Sequence, residues 1–305
     1  MNNRLYLLVA LFLASLVASP TLLAEEEYSA KGADSCLMCH KSGKWGDVMP
    51  IFKTRHGSMM DPNAPFSNEQ CESCHGPSNA HVKAKKKSEV SPAVTFGKDS
   101  EVSVATQNET CLTCHKDQTA MGWFGSMHES VDVGCASCHS LHQERDPIFD
   151  PLEQQQVCFE CHQRVRADTF KTSGHGLRFG SLDCSSCHNV HDGNNDFQLV
   201  RETVNDTCFE CHADKRGPFL WEHAPATEDC SLCHDVHGSN HPAALSKRPP
   251  LLCQQCHSAV GHPSLALTSE DTDNNRSRFL LSRGCMNCHS QVHGSNHPSG
   301  STQLR

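Results

Sequence analysis

Hydrophobic and polar residues follow no sustained period along most of this chain. Strict alternation of apolar and polar positions is rare, and no long apolar stripe recurs with the period of a helix. This pattern predicts few strands and only short helices. Two polar triplets, Asn205-Asp206-Thr207 and Thr227-Glu228-Asp229, have the composition of helix starts. Glycine and proline interrupt other stretches, as at Gly217-Pro218 and Pro249-Pro250, so we expect loops between the helices.

The most continuous apolar run lies at the N-terminus. Arg4 precedes it, residues 5–18 are mainly apolar, and small and turn-forming residues follow at positions 19–24. This order is typical of a secretory signal peptide, which we assign to residues 1–24 with cleavage after Ala24. A retained membrane anchor is the alternative, but a spanning helix needs about 20 apolar residues and this run is shorter.

The composition is too polar for an ordinary core of side chains. Of the 305 residues, 37% are hydrophobic and 6% are aromatic, and the mean hydropathy is −0.51. The chain also holds 20 cysteines. We therefore expect a group attached to cysteine, and not packed side chains alone, to fill the interior.

All 20 cysteines belong to ten CxxCH motifs, and no thiol is left over. Two cysteines three positions apart, with a histidine directly after the second, are the signature of c-type haem attachment. Both cysteines form thioethers and the histidine binds the iron, so we predict ten covalently bound c-type haems. The cofactor-binding cysteines are Cys36, Cys39, Cys71, Cys74, Cys111, Cys114, Cys135, Cys138, Cys158, Cys161, Cys184, Cys187, Cys208, Cys211, Cys230, Cys233, Cys253, Cys256, Cys285 and Cys288. The iron-binding motif histidines are His40, His75, His115, His139, His162, His188, His212, His234, His257 and His289.

Disulfides and zinc sites are the alternatives for paired cysteines. Disulfide geometry makes no use of a histidine after every second cysteine. A structural zinc site combines two cysteine pairs, or one pair with a distant pair of histidines. Neither alternative explains a histidine fused to each pair, so haem is favoured.

The stretch CASCHSLH, residues 135–142, indicates a use for histidines outside the motifs. His139 belongs to the motif and His142 follows three residues later. Three residues span at most about 10 Å, too little to pass around the macrocycle to the opposite face of the iron that His139 holds. We therefore expect His142 to ligate a different, neighbouring haem.

This arrangement recurs as an internal repeat: a histidine, a CxxCH motif, a second histidine shortly after it, and a closing CxxCH motif. Three regular copies begin at His128, His175 and His223, a looser one begins at His56, and a truncated one begins at His262. The five copies supply ten further histidines, one distal ligand for each predicted haem. These are His56, His81, His128, His142, His175, His191, His223, His237, His262 and His293.

Two histidines fall outside this set. His241 and His297 both lie in the sequence HGSNHP, four residues beyond a repeat histidine. We interpret them as surface or supporting residues. The alternative is that His297 replaces His293 or His262 as a ligand in the less regular last copy.

Iron held by two histidines has no free coordination position, so such haems transfer electrons and do not bind substrate. The histidine count provides a distal ligand for every motif, whereas multihaem enzymes keep one iron open. The sequence therefore predicts an electron carrier, with a multihaem reductase as the weaker alternative. The predicted fold is an extended haem wire wrapped by loops and short α-helices, with very little β-strand. It divides into pentahaem halves at residues 25–166 and 167–305.

The formal net charge of −9 argues against nucleic acid as a partner, because phosphate binding needs a basic face. One basic run occupies residues 83–87. We interpret it as a solvated loop, and the alternative is a docking site for an acidic partner or a haem propionate.

Three segments carry a family resemblance: VNDTCFECHADKRGPFLWEHAP at 204–225, LCQQCH at 252–257 and CMNCHSQVHGSNHPSG at 285–300. Together with the ten motifs, they resemble the periplasmic decahaem cytochromes of outer-membrane porin–cytochrome conduits, the MtrA/DmsE/PioA group. The resemblance covers essentially all of the mature chain. It implies bis-histidine haems that act as a molecular wire inside a β-barrel porin.

The resemblance also implies a location and partners. The chain is expected in the periplasm, associated with the outer membrane through the porin. The haem at His40 would face a periplasmic or inner-membrane cytochrome donor. The haem at His289 would face an extracellular multihaem cytochrome or terminal reductase. A soluble periplasmic electron shuttle or store would carry the same motifs and is the alternative function, and metal oxide, dimethyl sulfoxide and other terminal acceptors stay open.

Overall fold

The structure is a computed structural model that describes residues 27–41, 47–116, 122–192, 195, 197–257, 284–298 and 300–302. The predicted signal peptide and the candidate ligand His262 lie outside these residues. The chain divides into two compact units, Met1–Thr95 and Phe96–Arg305. That boundary differs from position 166, so the pentahaem halves stay a prediction about how the haems are grouped.

Short helical elements dominate the described residues, as the hydrophobic pattern predicts. The α-helices are Ala33–His40, Glu72–His75, Asn79–Lys83, Val104–Leu112, Met127–Ser130, Pro151–Phe159, Gln163–Thr169, Val204–Phe209 and Ala224–Glu228. The 3-10 helices are Met49–Lys53, Pro65–Ser67, Lys87–Glu89, Cys135–Ser137, Pro147–Phe149, Leu177–Phe179, Cys184–Ser186, Ala213–Lys215, Cys230–Leu232, Pro242–Ala244, Cys253–Gln255, Cys285–Asn287 and Gly300–Thr302. In this part of the chain, the strands are β1, Trp221–Glu222, and β2, Gly294–Ser295, which pair antiparallel.

Side-chain caps begin three of the longer helices. The side chains of Ser103, Asp150 and Thr203 accept hydrogen bonds from backbone N–H groups in the first turn of the helix that follows each of them. Such caps satisfy donors that the helix itself leaves unpaired. Each of the three helices then runs into a CxxCH motif, so the cap fixes where the chain enters that motif.

The repeated sequence HGSNHP has a structural explanation. Ser239 is buried and forms a β-bridge with Ser173. Its hydroxyl accepts a hydrogen bond from the backbone N–H of His241 and donates one to the carbonyl of Leu245. Gly238 has a φ of +143°, and a Cβ there would collide with the carbonyl oxygen of Asp168. Only glycine fits this close approach of two backbone segments.

The second copy of the sequence repeats this geometry at the C-terminal end. Ser295 is buried in β2, and its hydroxyl accepts a hydrogen bond from the backbone N–H of His297. Gly294 pairs with Glu222 and has a φ of +136°. The glycine and serine of the motif therefore hold two backbone segments together, which accounts for the repetition without a role for His241 or His297 as iron ligands.

Few apolar side chains are buried in the described part of the chain. The buried apolar side chains are those of Ala33, Ala64, Phe66, Trp123, Phe159 and Ala244. Larger side chains stay open to solvent in the polypeptide, among them Phe149 at 69% and Phe179 at 74%. Side chains alone therefore do not make a conventional core, as the composition predicts.

A buried carboxylate organises the first unit. Glu72 is 4% exposed and accepts hydrogen bonds from the backbone N–H and the hydroxyl of Ser29 and from the backbone N–H of Ser78. A buried charge is tolerated only when it is hydrogen-bonded in this way. The carboxylate thereby ties the segment before the first motif to the helix of the second.

Among the helices of the described residues, none combines the length and the apolar character that crossing a membrane requires.

We expect Gly238→Ala to lower the free energy of unfolding by about 1–3 kcal/mol, because alanine at a positive φ is strained and its Cβ would strike the Asp168 carbonyl. Denaturant unfolding of the haem-loaded protein measures the change. Gly284→Ala is the matched control, since Gly284 has a φ of −71° and nothing lies within 4 Å of its added Cβ. Equal stabilities of the two variants would contradict this account of the motif.

Candidate haem sites

The CxxCH motifs adopt two local conformations. Some lie at the ends of α-helices, as at Val204–Phe209, and others form a 3-10 turn, as at Cys230–Leu232. In both conformations, residues three apart point to the same face. The two thiols of each motif can therefore bond to one macrocycle, with the motif histidine directly beside them.

Seven motif histidines lie opposite another histidine within the described residues. The ring-centroid separations are 6.4 Å for His40 and His81, 6.0 Å for His162 and His128, 6.1 Å for His139 and His191, 6.2 Å for His212 and His175, 6.1 Å for His188 and His237, 6.1 Å for His257 and His223, and 6.2 Å for His234 and His293. Every partner is one of the histidines that the repeat predicts as a distal ligand.

These separations fit one iron between two imidazoles. With iron–nitrogen bonds of about 2 Å on each side and about 1.1 Å from each nitrogen to its ring centre, the centroids lie roughly 6.2 Å apart. Rings in direct contact would be closer. The described residues contain no group of three or more His, Cys, Asp or Glu side chains suited to a bare metal ion. Pairs at this spacing fit haem iron, whose other four ligands come from the macrocycle.

The pairs follow a fixed register. In each regular repeat, the first histidine lies opposite the histidine of the closing motif, as His128 does with His162. In the second and third regular repeats and in the truncated one, the histidine shortly after the middle motif instead lies opposite the middle motif of the preceding repeat, as His191 does with His139. In these three pairs, the facing motif is the one two positions earlier and not the adjacent one. That each of these histidines binds the haem of the facing motif stays a prediction.

Hydrogen bonds at Nδ1 fix the orientation of many of these rings. Among motif histidines, His75, His188, His234 and His289 donate from Nδ1 to the backbone carbonyls of Val94, Phe197, Ala243 and Thr302, at 2.9, 2.8, 2.8 and 2.6 Å. Among the opposing histidines, His81, His175 and His223 donate to the carbonyls of Val90, Val236 and Val292, at 2.6, 3.1 and 2.8 Å. Because a carbonyl only accepts, Nδ1 carries the proton and the lone pair of Nε2 stays available for iron.

His128 departs from this pattern. Its position in the repeat corresponds to those of His175 and His223, but its buried Nδ1 has no hydrogen-bond partner of acceptable geometry. Burial lowers the pKa of His128, and the carbonyl of Val190 opposes that shift. Val190 precedes His191 as Val236 precedes His237, so the same carbonyl position is near the ring even here.

Burial also disfavours the protonated form of several imidazoles. It is the main cause that lowers the pKa values of His75, His191, His237 and His293 below the ordinary range. For three of them, a facing histidine adds to the shift, for example His139 for His191. The neutral imidazole is the form that binds iron, so burial favours ligation.

Thiols of successive motifs lie against each other. The first cysteines of motifs 1 and 2, Cys36 and Cys71, interact directly, which lowers the pKa of Cys36 and raises that of Cys71. The same contact joins the first cysteines of motifs 3 and 4, 5 and 6, 7 and 8, and 9 and 10. In the last two of these contacts, burial is the main cause that raises the pKa values of Cys208 and Cys253 to about 11.

A second set of thiol interactions joins the alternate pairs. Cys138 of motif 4 interacts electrostatically with Cys161 of motif 5. Cys187 of motif 6 does so with Cys208 of motif 7, and Cys233 of motif 8 with Cys256 of motif 9. From motif 3 to motif 10, a thiol of each motif therefore interacts with a thiol of the following motif, either by direct contact or electrostatically.

Buried amides hold the motifs of a pair together, and the sequence analysis missed them. Asn108, Gln154 and Asn205 are 7%, 7% and 8% exposed, and each lies three or four residues before the first cysteine of a motif. Their side-chain oxygens accept hydrogen bonds from the backbone N–H groups of Cys135, Cys184 and Cys230, at 2.8, 2.9 and 2.7 Å. Gln70 plays a related part in the first unit, where it accepts from the N–H of Ala33 at 2.6 Å. The recurrence of an asparagine or glutamine three or four residues before motifs 3, 5 and 7 is the sequence signal that could have revealed these contacts.

The other predicted site residues have mixed outcomes. His293 lies opposite His234, and its assignment as a ligand in preference to His297 stays a prediction. His56 and His142 belong to the described residues, as do the motif histidines His75, His115 and His289, and their assignment as ligands stays a prediction. His262 lies outside the described residues.

We expect Asn205→Ala to lower the free energy of unfolding by about 1–3 kcal/mol, because it leaves the backbone N–H of Cys230 and two carbonyls without partners. Denaturant unfolding of the haem-loaded protein measures the loss. Asn240→Ala, at an exposed asparagine, is the control and should stay within about 0.5 kcal/mol of the unaltered protein. A loss no larger than that of the control would show that the amide does not hold the motifs.

Family models match two parts of the chain. The model for "Cytochrome c-type protein NrfB-like" matches residues 71–152. The model for a doubled CXXCH motif matches residues 177–217 and 223–262. Both describe haem-attachment sequences, and their matched ranges include motifs from both compact units.

The similarity to curated relatives extends over most of the chain. The chain is 49% identical over 280 residues to "Multiheme cytochrome MtrA" of Shewanella baltica (strain OS185), which covers 91% of this chain and 82% of that protein. It is 30% identical over 139 residues to "Cytochrome c-type protein NrfB" of Escherichia coli O6:H1, covering 44% of this chain and 67% of that protein. For the NrfB of Haemophilus influenzae, the identity is 29% over 143 residues, 42% of this chain and 63% of that protein. The chain therefore belongs to the family of multihaem c-type cytochromes that includes MtrA, and it is an electron carrier and not an enzyme.

Proposed function

We propose that this chain conducts electrons across the outer membrane through ten covalently bound, bis-histidine c-type haems. When bound, each haem supplies a one-electron iron couple with no open position for substrate. The observation that carries the proposal is the series of neighbouring thiols from motif 3 to motif 10, which touch within pairs of motifs and interact electrostatically between pairs. Neighbouring thioether positions bring the edges of successive macrocycles together, which short electron-transfer steps require.

The twenty predicted histidines are the proposed iron ligands. Seven of the ten pairs have the spacing that one iron between two imidazoles requires. The three motif histidines His75, His115 and His289 and the three distal candidates His56, His142 and His262 complete the count of ten and ten. This assignment leaves no haem with an open coordination position.

The proposed location is the periplasm, in association with the outer membrane through a β-barrel porin. Kinship with MtrA supports this assignment, as does the apolar N-terminal run that resembles a secretory signal. A periplasmic or inner-membrane cytochrome is the proposed donor. An extracellular multihaem cytochrome or terminal reductase is the proposed acceptor.

We expect His191→Met to change the ligation of the haem at His139 and to leave all ten haems attached, because every thioether cysteine is intact. Methionine in place of histidine raises the potential of haem iron, and we expect a shift of at least about 59 mV, a tenfold change for a one-electron couple. Redox titration and mass spectrometry measure the two quantities. His241→Met is the control and should change neither. If no haem altered its ligation in His191→Met, the paired assignment would be wrong.

Transport is tested with the haem-loaded protein expressed in a Gram-negative host, copurified from the outer membrane and placed in liposomes that enclose reduced methyl viologen. We expect a barrel partner to copurify, and we expect an external ferric chelate to oxidise the enclosed dye. Liposomes without the protein are the control. A protein that stays free in the periplasmic fraction and gives no transfer would support the soluble shuttle and overturn the conduit.

A further inference from the structure

One motif histidine has a different kind of hydrogen-bond acceptor at Nδ1. The acceptors of His75, His188, His234 and His289 are backbone carbonyls. The acceptor of His139 is the carboxylate oxygen Oδ2 of Asp146, at 2.7 Å. A charged acceptor makes a stronger hydrogen bond than a neutral carbonyl does.

The Asp146 carboxylate is held in place by its own loop. Its second oxygen accepts hydrogen bonds from the backbone N–H groups of Ser140 and Ile148, at 3.2 and 3.3 Å. The side chain is 11% exposed, compared with 29% for His139. It also caps the 3-10 turn Pro147–Phe149. The acceptor is therefore fixed and largely shielded from water, so its effect on the imidazole is little weakened by solvent.

The related loops of the next two repeats show why this acceptor is specific to His139. After motifs 6 and 8, the chain returns nine residues later and places the carbonyls of Phe197 and Ala243 on the motif histidines His188 and His234. After motif 4, the contact comes seven residues later, and a side chain supplies the oxygen. The loops after motifs 6 and 8 therefore serve as an internal comparison for the loop after motif 4.

We propose that Asp146 sets the potential of the haem at motif 4 below those at motifs 6 and 8, by strengthening His139 as an electron donor to iron. A carboxylate that accepts the Nδ1 proton increases the basicity of the imidazole, and a more basic axial ligand stabilises ferric over ferrous iron. Asp146 acts only through His139 and is a tuning residue. The inference rests on the proposed role of His139 as an axial ligand.

The test compares two substitutions with the same change of charge. Asp146→Asn keeps the shape and the capping ability of the side chain but replaces the carboxylate by a neutral amide. Asp150→Asn is the matched control, because Asp150 lies in the same loop and caps the next helix, Pro151–Phe159, without contacting an imidazole. The haem-loaded proteins are titrated electrochemically, with visible absorption and electron paramagnetic resonance as readouts.

We expect Asp146→Asn to lower the oxidised-to-reduced ratio of one haem about tenfold at a fixed solution potential, while all ten haems stay attached and low-spin. Asp150→Asn should shift the redox titration curve less, because the Asp150 side chain is 34% exposed and its charge is screened by water. Coinciding titrations of the two variants would overturn the proposal, since they would leave only a general charge effect.

Asp146→Ser provides a second variant if the asparagine protein fails to mature. Serine also caps the turn and is a weaker acceptor than a carboxylate, so the shift should have the same direction. An unchanged titration of the serine variant would likewise overturn the proposal. Failure of the ligand assignment is distinguishable, because the unaltered protein itself would then show a high-spin haem before any substitution is made.

Discussion

The structure depends on opposing two imidazoles from distant parts of the chain at the spacing of one iron. A motif histidine is placed by its own cysteines, but its partner comes from another repeat or from the start of the same one, as with His139 and His191. Each pair therefore closes a loop of the chain, and bonds to a haem iron between the two rings would offset the entropy cost of that closure. With such crosslinks, the polypeptide between the paired rings would need only short helices and turns.

The polar residues make that arrangement specific. Buried amides such as Asn108 and Asn205 fix where the backbone of one motif meets the helix leading into another. Carbonyls at Nδ1 leave Nε2 as the imidazole nitrogen that is available to iron. Both devices use neutral groups that hydrogen-bond to the backbone, which costs less than burying charges. From motif 3 to motif 10, direct contacts between thiols then alternate with electrostatic interactions between thiols.

The sequence HGSNHP suggests one role from its residue types and shows another in the structure. Its second histidine suggests a ligand because histidine is common in metal sites. In the structure, Gly238 allows the close approach of two backbone segments and Ser239 stabilises it with hydrogen bonds. The repetition reflects a packing constraint that two repeats share, and it does not need iron chemistry to explain it.

The sequence alone determined the ten CxxCH motifs, the division of the histidines between those inside and those outside the motifs, and the short helices and strands of the described residues. These follow from local chemistry, since thioether attachment requires a fixed spacing of Cys and His whatever surrounds it. Only the tertiary structure decided that His191 lies opposite His139 and not opposite the adjacent motif, and that Asp146 and not a carbonyl contacts His139. Partner choice depends on where the chain returns after each loop, and no local pattern of residues encodes that return.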